Sequence, residues 1–408
     1  DIMMCIRDHT YLETPDRMKY DIHDLYIKDA DSIKRGLVAS GLSEEQAQRA
    51  MDNAVRIGDD CNVEVPRGTN VLPDLTWLKG EDMVEFFKAR IQEGFAYRLS
   101  DKQDDAVYLE RIRSETDIII KKGFVKYMLL VWELVHWARE HGIMVSPGRG
   151  SVSGSLAAYC LGITSVDSVA QGTLMERFLS EFRTDEPDID LDIEDARRHE
   201  AIQHLKDIYG DPNVVRLGTE VRAHGRMTLR DVGRVLGIAK PELDPVANAI
   251  VQRSGGDARF DYSIEDSFTQ FDVCKRFDSK YPKVRKYASQ LEGRIRGYST
   301  HACGLLMTPW SVNDWVPLER RNGEIVSAWT LDDAKYLGLL KLDVLGITAL
   351  NMFSVAKNLI EERRGVIIDP WKITFDDERV LAAFAARDTT GIFQFGSPGL
   401  KRLCEQLG

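Results

Sequence analysis

Residues 186–193 read Glu186-Pro187-Asp188-Ile189-Asp190-Leu191-Asp192-Ile193. Side chains two apart on a β-strand share a face, so Asp188, Asp190 and Asp192 line one side and Ile189, Leu191 and Ile193 the other. Burying the apolar side anchors the strand, and the opposite side gathers negative charge that needs cations nearby. Carboxylates this close share protons or bind hard metals, and oxygen-only ligands suit Mg²⁺. An exposed acidic strand is the plain alternative. A calcium loop is disfavoured, because its sixth position requires Gly and Ile193 stands there.

Outside this stretch, composition sets broad limits. The chain has 408 residues, 43% hydrophobic and 29% charged, which suits two or three globular domains. No apolar run reaches the ~18 residues of a membrane span; the richest, 124–138, is broken by Lys126 and Glu133. No secretory signal is evident, although the chain begins at Asp1 rather than at a methionine. Six scattered cysteines with no C-x-x-C pair point to a reduced, cytoplasmic protein lacking disulfides and a cysteine zinc site. The net charge is −11, yet 214–240 carries +4 and 275–298 carries +6. Two basic stretches on an acidic body suit phosphate contact or solvated helix faces alike.

Patterning predicts a capped helix from Ser43 to about Ile57, with Ser43 and Gln46 as a capping box. Apolar spacing predicts helices over 82–99, 107–121 and 124–141. A loop is expected at 68–73, a short strand at 143–145 and a helix over 156–161. Between those last two, Ser146-Pro-Gly-Arg-Gly-Ser-Val-Ser-Gly-Ser155 has the strand–glycine loop–helix order that turns N–H groups towards phosphate. Its glycine spacing fits neither the dinucleotide fingerprint nor the Walker pattern. Helices are expected at 194–209, 218–237 and 281–293, with a loop at 253–262. Strand-like segments follow at 304–307, 325–329 and 341–345, and the last sixty residues read as helical.

Six short motifs then occur in a telling order: P-G-R-G-S (147–151), L-M-E-R-F-L (174–179), P-D-I-D-L-D (187–192), L-G-T-E-V-R-A-H-G-R-M-T-L-R-D-V-G-R-V-L-G (217–237), T-H-A-C-G (300–304) and K-L-D-V-L-G (341–346). In this order they resemble the C family of DNA polymerases, the bacterial replicative DNA polymerase III alpha subunits, across nearly the whole chain. The resemblance implies an α/β (α+β) fold: a mixed-sheet palm of the polymerase-beta-like nucleotidyltransferase type with an inserted helical thumb. It assigns 1–74 to the end of a PHP domain and a helical connector, 75–216 and 299–347 to the palm, 217–298 to the thumb and 348–408 to the start of the fingers. An intact PHP module is then expected to be missing before Tyr20. F-Q-F-G-S-P-G-L (393–400) departs from the family's pattern, with Gly396 at an acidic position.

Carried over residue by residue, the resemblance makes Asp188, Asp190 and Asp343 the catalytic and metal-binding carboxylates, with Asp192 secondary. It places Arg149, Gly150, Ser151, Arg177 and Lys341 beside the incoming nucleotide. The thumb's DNA contacts become Arg222, Arg226, Arg230 and Arg234, the first three on one helical face. The implied function is template-directed DNA synthesis in replication, with two Mg²⁺ ions, dNTP and primer–template DNA. A sliding clamp and other replisome subunits are expected through regions outside this chain. The implied location is the bacterial cytoplasm, in a phage-encoded or otherwise remote member. A template-independent nucleotidyltransferase and a DNA-binding module without catalysis are the competing readings.

Overall fold

Six strands carry the sheet: β1 (Asp190–Glu194), β2 (Val214–Arg222), β3 (Ile295–Met307), β4 (Leu318–Arg321), β5 (Glu324–Ser327) and β6 (Lys341–Ile347). Their spatial order is β1-β6-β3-β2-β5-β4. The sheet is mixed, with β1 and β6 parallel and β3 and β6 antiparallel. The computed structural model describes residues 1–22, 24–64, 71–180, 187–252, 263–373 and 376–407. Glu186, the loop expected at 253–262 and half of that at 68–73 lie outside the described residues.

The chain forms two compact units, one of Arg67–Thr219 with Thr300–Gly408 and one of Asp1–Pro66 with Glu220–Ser299. In the larger unit, helices Met83–Arg98, Ala106–Lys121 and Val125–Glu140 form on the predicted segments. Asp82 and Asp105 cap the first two by accepting backbone N–H groups. Nine residues of Val125–Glu140 are buried, so this helix lies deep in the core. Ile189, Leu191 and Ile193 join that core, as do Leu342 and Val344 of β6. The apolar halves of both acidic strands thus hold the sheet in place, at about 25 cal/mol per Å² of apolar area buried.

The smaller unit has its own core, built by Leu229, Val232, Leu243, Phe268, Phe277 and Val284 from helices between Gly225 and Leu291. Gly233 permits a close helix approach there: a Cβ would lie 2.2 Å from a Leu243 methyl. Helix Glu44–Asp60 in the same unit carries the predicted Ser43/Gln46 capping box.

Two sequence readings need correction. The helix expected from 218 starts at Gly225, and 218–222 belongs to β2. The segment takes its structure from pairing with strands far along the chain, which helical spacing cannot anticipate. The strand expected at 143–145 is reduced to one bridge, Val145 to Ile193. It nevertheless fixes the glycine loop to β1, since the Ser146 N–H donates to the Asp192 carbonyl at 2.9 Å.

Candidate active site

In the β1–β6 register Asp190 stands directly opposite Asp343. Although 153 positions separate them in sequence, their carboxylates and that of Asp188 offer oxygens all within 4.8 Å of one another. Asp188 lies just ahead of the strand. Exposure falls across the trio, from 62% for the Asp188 side chain to 33% for Asp190 and 3% for Asp343. The cluster therefore has one solvent-facing side and one sealed side.

Cations thread this group. The Lys341 ammonium donates to Asp343 and lies 3.6 Å from Asp188. Burial disfavours that ammonium, but the Asp343 hydrogen bond and the Asp343 and Asp188 charges outweigh it and raise its pKa. Arg149 donates to Asp192 at 2.9 Å and reaches Asp190 at 4.0 Å. Asp192 is buried and bonded to that guanidinium, which gives it an anchoring place. The Arg149 hydrogen bond lowers its pKa, but burial has the larger effect and the net shift is upward. Burial, and after it the Asp188 charge, also raise Asp190.

The trio suits a hard divalent ion. Asp343 Oδ1 is buried and has no hydrogen-bond partner among the described residues. An unpartnered carboxylate oxygen at the closed end of an acidic cluster suits a metal ligand.

The glycine loop edges the cluster. Gly150 has φ +71°, where only glycine avoids backbone strain, and a Cβ there would make ordinary contact with Asp190 Oδ2 at 3.5 Å. Ser151 follows on the turn Gly150–Gly154. Arg177 is exposed on the turn Met175–Arg177, and no contact among the described residues joins it to the carboxylates. A 930 Å³ cavity lined by Tyr97, Arg98, Arg139, Tyr159 and Trp371 contains none of the trio.

Some supporting residues were given no role by the sequence pattern. The buried Tyr127 hydroxyl accepts the Ile189 N–H at 3.1 Å, gripping the backbone between two of the carboxylates. Glu115, 1% exposed, accepts from Ser155 Oγ and the Ala157 N–H, both at 2.9 Å, and holds the helix after the glycine loop. His301 and Cys303 approach Asp343 from β3. Burial, then the Asp343 charge, push the Cys303 thiol up to about 12.

The predicted arginines of the smaller unit take internal partners. Arg222 lies on β2, bonded to the Gly293 carbonyl and Glu220. The face predicted for 222, 226 and 230 is therefore not formed. Arg226, Arg230 and Arg234 do share the helix Gly225–Val235. Arg226 donates to the Asn248 and Ile250 carbonyls, Arg230 to Asp244 and Asn248, and Arg234 to the Ile6 carbonyl.

The fold is thus α+β, with a mixed six-stranded sheet presenting carboxylates from adjacent strands at one edge. The chain belongs to the bacterial DNA polymerase III alpha family. Residues 85–346 match the bacterial DNA polymerase III alpha NTPase domain and 349–408 the finger domain of the same subunit. It is 35% identical over 359 residues to the DNA polymerase III subunit alpha of Bacillus subtilis (strain 168), covering 88% of this chain and 32% of that protein. It is 31% identical over 409 residues to the DNA polymerase III subunit alpha of Staphylococcus aureus (strain COL), covering 99% of this chain and 36% of that protein. The chain spans about a third of the length of these relatives. Among the described residues no helix is long and apolar enough to cross a membrane.

Proposed function

We propose that this chain holds the catalytic palm of a template-directed DNA polymerase, together with a duplex-binding helical unit and the start of the fingers. The observation carrying this reading is the parallel Asp190–Asp343 register, which gathers three carboxylates at one sheet edge in a chain of this family. The reaction is attack of the primer 3′-oxygen on the α-phosphorus of a dNTP. The bond from that phosphorus to the β-phosphate oxygen breaks, pyrophosphate leaves and the hydroxyl proton passes to solvent.

Asp188, Asp190 and Asp343 would hold two Mg²⁺ ions; when bound, the pair lowers the hydroxyl pKa and neutralises charge on the leaving group. The other residues position. Tyr127 fixes the Ile189 backbone, Arg149 secures β1 through Asp192, and Gly150 leaves room beside Asp190 for a triphosphate. Lys341 lends positive charge between Asp188 and Asp343. Arg177, exposed on its turn, and Ser151 are the further candidates for nucleotide contact. Duplex phosphates would meet Arg222, Arg226, Arg230 and Arg234. Each guanidinium has five N–H donors and its internal bonds occupy only some of them. A sliding clamp would engage regions outside the chain.

Primer extension tests the reading. Mg²⁺-dependent extension that requires a template and is lost in both Asp190→Asn and Asp343→Asn supports it. Extension surviving either substitution overturns the carboxylate assignment. Extension that ignores the template would instead indicate a terminal nucleotidyltransferase.

A further inference from the structure

One donor group beside the carboxylates has a chemistry that Mg²⁺ does not use. His301 and Cys303 lie on β3, where Gly304 pairs with Asp343 of β6. An imidazole nitrogen, the Cys303 sulfur and an Asp343 oxygen all fall within 4.8 Å of one another. The Cys303 Sγ to His301 Nδ1 separation is 3.6 Å. Bond lengths of about 2.3 Å to sulfur and about 2.0 Å to nitrogen at tetrahedral angles give an S–N edge of roughly 3.5 Å. Asp343 is 3% exposed and its Oδ1 has no hydrogen-bond partner among the described residues.

We infer that His301, Cys303 and Asp343 form a second metal site, selective for a thiophilic divalent ion of the zinc type, which competes with the carboxylate trio for Asp343. Nitrogen, sulfur and carboxylate oxygen are a borderline-soft set that favours zinc-like ions, whereas Mg²⁺ prefers oxygen alone. Three protein ligands leave a fourth tetrahedral position for water. Binding transfers the Cys303 proton to solvent and takes the Nδ1 lone pair that now accepts the Gly304 N–H at 2.9 Å. The sequence signalled no such site because it uses one cysteine and draws its ligands from two strands forty residues apart, without a C-x-x-C pair. The rival explanation of the short S–N distance is a thiol donating to the imidazole.

The consequence for activity rests on the proposed function, but the site itself does not. Where Asp343 serves catalysis, a zinc-type ion held here withdraws one of its ligands, so such ions inhibit by a route that added Mg²⁺ relieves.

Cobalt(II) is the probe, because a thiolate ligand gives it a charge-transfer band in the near ultraviolet. The 408-residue chain is titrated with CoCl₂ in millimolar Mg²⁺. The expected result is one Co²⁺ per chain, with a band that Zn²⁺ abolishes. Cys303→Ser, a near-isosteric change checked by its melting curve, removes the band, and His301→Gln weakens binding at least about tenfold. Asp190→Asn, which alters the trio alone, keeps the band, as does a Cys61→Ser/Cys404→Ser double variant lacking the two cysteines nearer the surface. No band in the parent chain, a band surviving Cys303→Ser, or a band lost in the double variant each overturns the site. Zn²⁺ should also inhibit primer extension over the range in which it displaces Co²⁺, with Cys303→Ser resisting about tenfold higher concentrations. A normal band without inhibition would uphold the site and count against Asp343 in catalysis.

Discussion

Asp188 and Asp190 of the sheet edge and the arginines of the helical unit both stand out as charge clusters in the sequence, yet they end in opposite situations. Asp188, Asp190 and Asp343 converge within 4.8 Å, with Asp343 Oδ1 unpartnered among the described residues. Arg226 is bonded to carbonyls at the end of the helix Lys240–Ala249, and Arg230 to the side chains of Asp244 in its middle and Asn248 near its end. Backbone geometry makes the difference. On a strand, the residues between the acids are locked into the core, so the acids stay on one face whatever the energetic penalty. On a helix, a long guanidinium can swing to the nearest orphan carbonyls, which every helix C-terminus supplies. Sequence charge therefore stays gathered on one face more reliably where short side chains sit on a buried strand than where long ones sit on a helix.

The largest expected effect lies at the sheet edge. Asp190→Asn should lower Mg²⁺-dependent primer extension by at least ~10³-fold while leaving the fold intact. Its stability should hold or rise. Burial and Asp188 raise the Asp190 pKa, so the folded state binds that proton more tightly than the unfolded chain does. Its ionised form then opposes folding at neutral pH, and asparagine removes that opposition. Melting curves with EDTA and with Mg²⁺ check this: the parent chain gains stability from the ion by linkage, and the variant gains little. A variant that melts earlier in EDTA yet still extends primers would make Asp190 structural and erase the contrast.

A smaller effect tests whether the sealed side positions the acids. Tyr127→Phe deletes the acceptor of the Ile189 N–H while leaving every charge in place. Stranding a buried donor should cost about 1–3 kcal/mol in denaturant unfolding. Extension should fall less than it does for Asp190→Asn, because the carboxylates remain and only their support loosens. A neutral result would mean that the strand is held by its apolar contacts alone.

The same contrast explains what could be read in advance. The alternation of acids with Ile189, Leu191 and Ile193 was legible, and so were the helices whose starts Asp82, Asp105 and Ser43 mark, because those signals are local. The convergence of Asp343 on Asp190 came from motif order and not from spacing, since strand pairing across 153 positions leaves no local imprint. Tyr127 and Glu115 went unread, and His301 and Cys303 stood in the T-H-A-C-G motif without a role, for a related reason: each acts on an element distant in sequence. Residues 218–222 misled because helical spacing continued unbroken into a segment that pairs as β2.

The smallest effect is the most discriminating for the helical unit. Replacing Arg222, Arg226 and Arg230 together by alanine removes internal bonds that are partly exposed, each worth about 0.2–1 kcal/mol, so the melting temperature should drop modestly. If the remaining donors also grip duplex phosphates, the slope of log K against log salt for primer–template binding flattens as well. The ceiling is about three contacts, roughly 0.9 each. Arg222 and Arg230 should contribute more than Arg226, because their side chains are 46% and 38% exposed while most of the Arg226 bonds are part-buried. The net charge of −11 sharpens the measurement, since general attraction by the whole body cannot imitate a lost contact. Binding must be measured well below the melting temperature, so that partial unfolding does not pass for lost affinity. A lowered melting temperature with an unchanged salt slope would confine these arginines to holding their own helices together, and duplex contact would then fall to other cations of the unit, such as Arg276 and Lys283.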